Sequence, residues 1–500
     1  MPGQSRSTGS DDIGSLDERA QDEQGGNMSE QKDNDKGVLR EDLTRRDFLR
    51  WAGIAGATVG IGGVSGVLAG CSSSTTTTTA AAAGGTGTTA ASSGTTTAAG
   101  KTGREIKIGY VTPTTGALAD FAAADPFIIS GFKAAIGQGL TIGDTTYPVT
   151  VVVKDSQSDP NRAGTVAGDL ITNDKVDLIV TGWTPENAVP VCAQAEANGV
   201  PCISTVVPWQ PWVIGMKGDP ANPGAGFQWT YHFFWGLEDI IGVFTDMWPQ
   251  VTTNKIVGGL WPNDGDGNAW SDPKVGFPPA LKAGGYTLVD PGRYPDGTAD
   301  FSSQISQFKK AGVQILTGVP IPPDFTTFWK QAQQQGFQPK IASVGKALLF
   351  PASVEALGTS GDGMSTEVWW SPNHPFASSL TGATSAQLAD AYTKATTKEW
   401  TQPLGFAHAL FELAADVFKR TKNVDDPQSI IDAVKGTNLN TIVGPVNWTG
   451  GGPTPNVSKT PLVGGQWGKG TTFPFDMVIV TNKRAPNIPT AGQLRPIPYS

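Results

Sequence analysis

From residue 105 onward, short apolar runs alternate with segments of helical periodicity. The runs are rich in Val and Ile and predict strands at 106–111, 149–154, 177–181, 202–205, 255–261, 286–289, 313–318 and 340–344. Between them, apolar residues recur every three or four positions, as Phe301, Ile305 and Phe308 do. This spacing predicts helices near 127–136, 186–198, 300–311, 324–335 and 406–421. Apolar strands that alternate with helices are typical of parallel sheets covered on both faces. Because the pattern occurs twice, we predict an α/β chain with two doubly wound parallel-sheet lobes. The segments 443–448, 465–467 and 475–480 are strand-like and irregular.

The first seventy residues have the composition of an export signal. Residues 1–43 are polar and charged, so we expect disorder there. Residues 44–50 read TRRDFLR, the twin-arginine pattern, and an uncharged, glycine-rich segment follows at 51–67. Residues 68–71 read LAGC and resemble the bacterial lipobox, in which the cysteine is lipidated. We therefore predict a disordered tail and twin-arginine lipoprotein signal over 1–70, with lipid on Cys71. An ordinary N-terminal membrane helix and a start at Met28 remain open.

A low-complexity spacer follows the cysteine. Ser, Thr, Ala or Gly occupy 31 of the 32 positions from 72 to 103, with Lys101 as the exception. Such a segment has too little apolar surface to form a core. We therefore predict that 71–103 consists of the lipidated cysteine and a flexible tether.

Composition and charge exclude several classes of protein. The chain has 36 Lys and Arg against 45 Asp and Glu, a net charge of −9, which argues against a nucleic-acid partner. Three cysteines exclude a disulfide-built scaffold, and three histidines leave little material for a histidine metal site. The segment 264–268 (DGDGN) has the composition of a calcium loop but lacks the glycine and glutamate that such a loop needs. We expect no metal and no cofactor.

Motifs of catalysis are absent from the sequence. It contains no GxSxG, HExxH or CxxC segment, so we predict that the chain is not an enzyme. His408 lies on the predicted long helix and is expected in the core. Cys192 and Cys202 are open to two interpretations, a disulfide or two buried thiols.

Several segments, taken in order, resemble the branched-chain amino-acid-type substrate-binding lipoproteins of ABC transporters. They are 106–116, 155–182, 199–204, 300–302 with 336–340, and 443–448 with 466–467. The resemblance implies a type I periplasmic-binding fold, in which two lobes are joined by a three-strand hinge. It places lobe one at 104–230 and 372–445, and lobe two at 231–371 and 446–500.

In lobe one, the resemblance implies that loops after the strands hold a ligand carboxylate through hydroxyls and backbone N–H groups at helix N-termini. We expect the ligand to contact residues near the carboxyl ends of these strands: Phe121, Trp183, Thr184, Ser204, Thr205 and Trp209. Three positions depart from the family pattern, and the first of them is Trp183. Glu186 brings a negative charge that competes with a bound anion, and Pro208 replaces a hydroxyl residue.

In lobe two, the corresponding loops combine aromatic and charged residues. We expect ligand contacts from Trp261, Asn263, Asp264, Asp324 and Lys346, and Lys346 is a candidate partner for a ligand carboxylate. Fifteen tryptophans, several of them in predicted cleft loops, suggest aromatic walls.

These observations predict an extracytoplasmic, lipid-anchored, monomeric protein that captures a small organic molecule and delivers it to an ABC permease. An amino acid, an amide, an aromatic acid or another small carboxylate all remain possible as ligands. An exported sensing receptor of the same fold, without a transporter, and a lipid-anchored hydrolase are the alternatives.

Overall fold

The computed structural model describes residues 101–450 and 452–499. The predicted tail, twin-arginine signal and lipidated Cys71 lie outside these residues, as does most of the predicted tether. Lys101–Thr102, at the end of that tether, form strand β1, which pairs with Thr145–Tyr147 (β4). A third short strand, Leu140–Ile142 (β3), pairs with β4 on its other side.

The first lobe is built on a six-stranded parallel sheet. In spatial order its strands are Val457–Ser458 (β17), Thr230–Phe233 (β8), Cys202–Thr205 (β7), Leu178–Thr181 (β6), Ile106–Thr112 (β2) and Val149–Asp155 (β5). All five pairings are parallel. β6 and β7 are buried along their whole length, as expected for strands of a parallel sheet covered by helices on both faces.

The second lobe is built on a mixed sheet. Its spatial order is Thr287–Val289 (β10), Ile256–Pro262 (β9), Ile315–Gly318 (β12), Ile341–Val344 (β13), Ser365–Val368 (β14), Val463–Lys469 (β18) and Phe475–Thr481 (β19), with Arg293–Tyr294 (β11) also on β9. Pairing is parallel from β10 to β14 and antiparallel from β14 to β19. A separate hairpin joins Asn438–Thr441 (β15) to Gly444–Asn447 (β16).

Helices surround the two sheets. In chain order they are Asp125–Ile136 (α1), Pro160–Asp169 (α2), Pro185–Asn198 (α3), Trp209–Gly215 (α4), Leu237–Met247 (α5), Gly265–Trp270 (α6), Phe277–Ala283 (α7), Ser302–Ala311 (α8), Pro322–Gln334 (α9), Pro351–Glu355 (α10), Ser385–Thr396 (α11), Pro403–Arg420 (α12) and Pro427–Lys435 (α13). Proline at the first or second position of most of them starts the helix where its missing N–H costs no hydrogen bond.

The chain crosses between the sheets three times. It leaves the first sheet after β8, returns from the second after β14, and leaves again after β17. One cluster of buried apolar residues runs through both lobes and includes Ile108 of the first sheet and Val257 of the second. The predicted fold class, two doubly wound lobes of a type I periplasmic-binding fold, is therefore confirmed.

Most of the predicted strands and helices lie within two or three residues of their observed bounds. The first sheet extends past the limits of 230 and 445 that the sequence suggested for lobe one, because β8 ends at Phe233 and β17 pairs with it. Within the described residues, no helix combines the length and the apolar character needed to cross a membrane.

Candidate functional site

A cavity lies between the lobes, at the carboxyl ends of the parallel strands, where ligands of such sheets bind. It has about 330 Å³ of empty volume, part of it open to solvent. Six of its lining residues are aromatic: Phe121, Trp183, Phe234, Trp235, Trp270 and Trp369.

The two lobes meet around this cavity. Phe121 of lobe one contacts Phe350 of lobe two edge to face, with ring centroids 4.8 Å apart. The backbone N–H of Gly265 in lobe two donates to Glu186 Oε1 in lobe one at 2.9 Å. The lobes are therefore closed on each other, and the cavity is the space left between them.

Three residues that line the cavity have left-handed backbone conformations. They are Trp183 (φ 96°), Val206 (φ 56°) and Lys346 (φ 56°), each directly or shortly after a parallel strand. Such a conformation costs about 1–3 kcal/mol for a non-glycine residue, and β-branched Val206 is the most unfavourable type. Strain of this kind concentrates where side chains are held for function, so these three residues mark the cavity as the candidate site.

Indole groups of the cavity wall have unused hydrogen-bonding capacity. Within the described residues, the Nε1 groups of Trp235, Trp270 and Trp369 have no acceptor, although all three side chains are buried. Trp183 is satisfied, because its Nε1 donates to Thr112 Oγ1 at 2.8 Å. All three tryptophans line the cavity.

A buried ion cluster forms the polar end of the cavity. Lys346 Nζ lies 2.7 Å from Asp264 Oδ2 and 2.9 Å from Asp266 Oδ2. Carboxylate oxygens of Glu186, Asp264 and Asp266 lie within 4.8 Å of one another, close enough to share one cation. The cation that the structure places beside both aspartates is the Lys346 ammonium.

Local sequence explains how this cluster forms. Asp264 is the N-cap of α6, and its Oδ1 accepts from the backbone N–H of Gly267 at 2.6 Å. The segment that resembled a calcium loop is thus the start of a helix. Gly345 allows the ring of Trp270 to pack below the lysine, since a Cβ there would lie 2.7 Å from Trp270 Cη2.

Burial shifts the pKa values of the acids around the cavity. Desolvation raises the pKa of Asp266 to about 7 and that of Glu367, which also lines the cavity, to about 7. Asp296 and Asp324 lie nearby, and burial raises the pKa of each to about 6. The neighbouring carboxylates raise the pKa of Lys346 despite its burial, so the lysine is charged.

Three of the predicted site residues line the cavity, namely Phe121, Trp183 and Lys346. Thr184 lies beside them as the N-cap of α3, but its hydroxyl makes no cap hydrogen bond and has no partner among the described residues. Whether these side chains contact a ligand stays a prediction.

The predicted hydroxyls of β7 are used inside lobe one. Ser204 Oγ lies 2.9 Å from His232 Nδ1, and Thr205 Oγ1 donates to the carbonyl of Phe233 at 2.6 Å. Both partners lie on the neighbouring strand β8. These two hydroxyls therefore hold the sheet together and lie outside the cavity lining.

The other predicted residues surround the cavity without lining it. Trp209 donates through Nε1 to Glu238 at 3.2 Å, and Trp261 packs against Phe277 with centroids 5.8 Å apart. Asp324 is buried and accepts from the N–H of Gly297 at 3.2 and 3.1 Å.

Asn263 and Asp264 flank the start of α6. Asn263 is exposed, while Asp264 holds Lys346 in place.

Several lining residues were not singled out from sequence. They are Val206, Phe234, Trp235, Val319, Leu349 and Glu367. Phe234 and Trp235 directly follow β8, a strand that the pattern did not predict. If β8 had been predicted from the sequence, Phe234 and Trp235 would have been expected at its carboxyl end, where ligands of such sheets bind.

Among the residues that the structure describes, no cysteine or histidine lines the cavity. The sulfur atoms of Cys192 and Cys202 lie 3.9 Å apart in the core, and both thiols are free. His232 stacks on Trp212, and His408 bonds to Ser378 Oγ at 2.7 Å, so both lie in the core.

Comparison with known proteins gives consistent results. The sequence model of the family described as Periplasmic binding protein matches residues 105–464. A curated relative, "Leu/Ile/Val-binding protein homolog 6" of Brucella suis biovar 1, is 24% identical over 293 residues, which cover 54% of this chain and 65% of the relative. The chain thus spans slightly less than two thirds of that relative.

Solved structures share the fold. A branched-chain amino-acid transporter substrate-binding protein from Streptococcus pneumoniae, in complex with isoleucine, has a TM-score of 0.59 at 17% identity, covering 75% of this chain and 99% of that one. A solute-binding protein of an ABC transporter from Rhodopseudomonas palustris BisB5, in complex with 3,4-dihydroxybenzoic acid, has a TM-score of 0.59 at 18% identity, covering 76% and 99%. Since the family model matches well over half of the chain, the chain belongs to the periplasmic binding protein family.

Proposed function

We propose that this chain is an extracytoplasmic solute-binding protein that captures a small organic molecule between its lobes and delivers it to an ABC importer. The observation that carries the proposal is the aromatic cavity, lined by residues from both lobes and by three strained backbone positions. The family membership supports a binding role outside the cytoplasm, and the relatives named above support a transporter partner. Anchoring through lipid on Cys71 and export by the twin-arginine route are part of the same proposal.

The proposed mechanism is a shift between open and closed lobes. A ligand that contacts both lobes binds the closed state better than the open one and so increases its population. The contacts from Gly265 to Glu186 and from Phe121 to Phe350 are made only when the lobes are close. A permease that binds only the closed conformation would then interact with the ligand-bound protein and not with the empty one.

A thermal-shift screen of the purified full chain tests ligand capture. The panel contains aliphatic amino acids, amides, ureas, aromatic carboxylates and amines. A ligand at about 100 times its Kd stabilises the folded state by about 2.7 kcal/mol, which is a measurable shift. Trp235→Phe, in the cavity wall, should reduce the shift, whereas Trp212→Phe, equally buried on His232, should not.

Uptake by intact cells distinguishes an importer from a sensor. Cells that lack the chain should fail to take up the molecule found in the screen and should recover uptake when the gene is restored. Binding without any effect on uptake would contradict the transporter role and favour the sensing receptor.

A further inference from the structure

Of the three lobe-one hydroxyl groups expected to hold a carboxylate, two are used within the sheet, and that of Thr184 is left without a partner among the described residues. Ser204 and Thr205 direct their hydroxyls to groups of β8, and Pro185, at the start of α3, has no N–H to offer. The N–H of Trp209, at the start of α4, is donated to the carbonyl of Trp235 at 3.1 Å. Helix N-termini bind anions through free N–H groups. These two helix starts have lost several of the donors that an anion needs.

Negative charge takes the place of those donors. Glu186, in the first turn of α3, directs its carboxylate to Gly265 in lobe two, next to Asp264 and Asp266. Glu367, on β14, lines the same cavity. The carboxyl groups of Glu186, Asp264 and Asp266 thus cluster around one ammonium, that of Lys346, and Glu367 adds a further carboxyl group to the cavity wall. An anionic ligand would therefore meet an excess of carboxyl groups.

One of these acids has an unused oxygen at the cavity. Asp266 is 4% exposed, and its Oδ2 bonds to Lys346 while its Oδ1 has no partner within the described residues. A buried carboxylate oxygen without a donor is costly, and a ligand N–H group would satisfy it. Around it stand aromatic rings, among them Trp270 and Trp369, whose faces attract cations.

We propose that the ligand is a small organic cation, a protonated arylalkyl or alkyl amine without a carboxylate, whose ammonium group bonds to Asp266 Oδ1 and faces Glu367. This inference rests on the proposed function, because it names the class of solute for the same cavity. The apolar part of the amine would lie against Trp183, Trp235 and Trp369. Lys346 stays paired with its two aspartates and does not contact the ligand charge.

Three probes of nearly equal size and shape test the charge. They are phenethylammonium, 2-phenylacetamide and phenylacetate, which are cationic, neutral and anionic at pH 7.5. Each is titrated into the full chain by calorimetry. A charge-assisted hydrogen bond favours the cation over the neutral probe by about tenfold to a hundredfold, and phenylacetate should bind weakest.

A matched pair of variants locates the effect. Glu367→Gln removes a cavity carboxyl group and should weaken phenethylammonium binding by about tenfold, while reducing its preference over the amide. Glu412→Gln is the control, because Glu412 is equally buried, has a pKa raised by burial to about 7, and lies in the lobe-one core. This control should leave the affinity unchanged. Melting curves of both variants establish that each is folded.

The outcomes separate this inference from the proposed function. Binding of phenylacetate or leucine without binding of the amine overturns the charge assignment and leaves the solute-binding role intact. An equal loss of phenethylammonium affinity in Glu367→Gln and Glu412→Gln, or no loss of affinity in Glu367→Gln, also overturns the assignment. If the wild-type chain binds none of the probes, the inferred amine class is wrong, and the broader screen described above decides the binding role.

Discussion

Replacing Lys346 by methionine should destabilise the protein strongly. Methionine keeps most of the apolar stem but removes the ammonium that lies 2.7 Å from Asp264 and 2.9 Å from Asp266. The lysine is 4% exposed, and both aspartates are buried. Removing one partner of a buried ion pair leaves an uncompensated charge and costs about 3–5 kcal/mol.

This loss converts to a measurable change in melting temperature. Unfolding entropy is about 2.1 cal/mol/K per residue, so roughly 400 folded residues give about 0.8 kcal/mol/K. A loss of about 3–5 kcal/mol then lowers the Tm by roughly 4–6 °C if both lobes unfold together. Their shared core favours a joint transition.

The loss should depend on pH in a defined direction. Burial raises the pKa of Asp266 to about 7, above its unfolded value of about 3.9, so the folded state binds the proton more tightly. The stability from this group is present below about pH 4 and is lost as the pH rises through about 7. Without the ammonium, whose charge lowers the pKa of Asp266, that aspartate gains a further preference for the protonated form. Lys346→Met should therefore cost more at pH 8 than at pH 5.

Scanning calorimetry at the two pH values, with two companion variants, tests this reasoning. Lys346→Met with Asp266→Asn should recover part of the loss, because one unpaired charge is gone. Lys394→Met, which removes an exposed pair with Asp390, should change the Tm little. A Lys346→Met variant as stable as wild type at pH 8, or one more damaged at pH 5, would refute the ion-cluster argument.

Two further predictions concern strain and thiols. Val206→Gly should lower the free energy of unfolding in urea by about 1–3 kcal/mol less than Val207→Gly does, because glycine relieves the left-handed conformation at Val206 (φ 56°). An equal loss of stability in the two variants would argue against strain at Val206. Cys192 and Cys202 should react with a thiol reagent only after unfolding, since both are fully buried and reduced. If the two cysteines failed to react even in denaturant, they would be joined in a disulfide and the prediction would be wrong.

Hydrophobic patterning was sufficient to predict most of the fold. Continuous Val- and Ile-rich runs such as β5 and β6 have few alternatives to a buried strand once helices flank them. Among the strands that the pattern missed, β14 and β8 were missed for different reasons. β14 reads STEV and is too polar to stand out, and β8 lies inside a long aromatic segment without a turn signal at its end.

The site was harder to predict because its chemistry depends on pairings across long sequence distances. Lys346 pairs with Asp264, a residue 82 positions earlier in the chain. Because the sequence does not reveal this pairing, the simpler expectation was an unpaired lysine that binds a ligand carboxylate. The hydroxyls of Ser204 and Thr205 are used by β8, which the pattern had not located. By contrast, the position of Trp183 in the cavity lining follows from the local sequence, because a residue shortly after a parallel strand lies at its carboxyl end.

Native mass spectrometry of the full chain, purified from the organism that makes it without added ligand, tests the central claim most directly. The account predicts a bound small molecule that is released on denaturation. Val319→Phe, which adds volume inside the cavity, should abolish the bound mass, whereas Val275→Phe on the surface should retain it. A folded wild-type chain that carries no small molecule and gains none from the ligand panel, or a mass that survives in folded Val319→Phe, would contradict capture of a solute between the lobes.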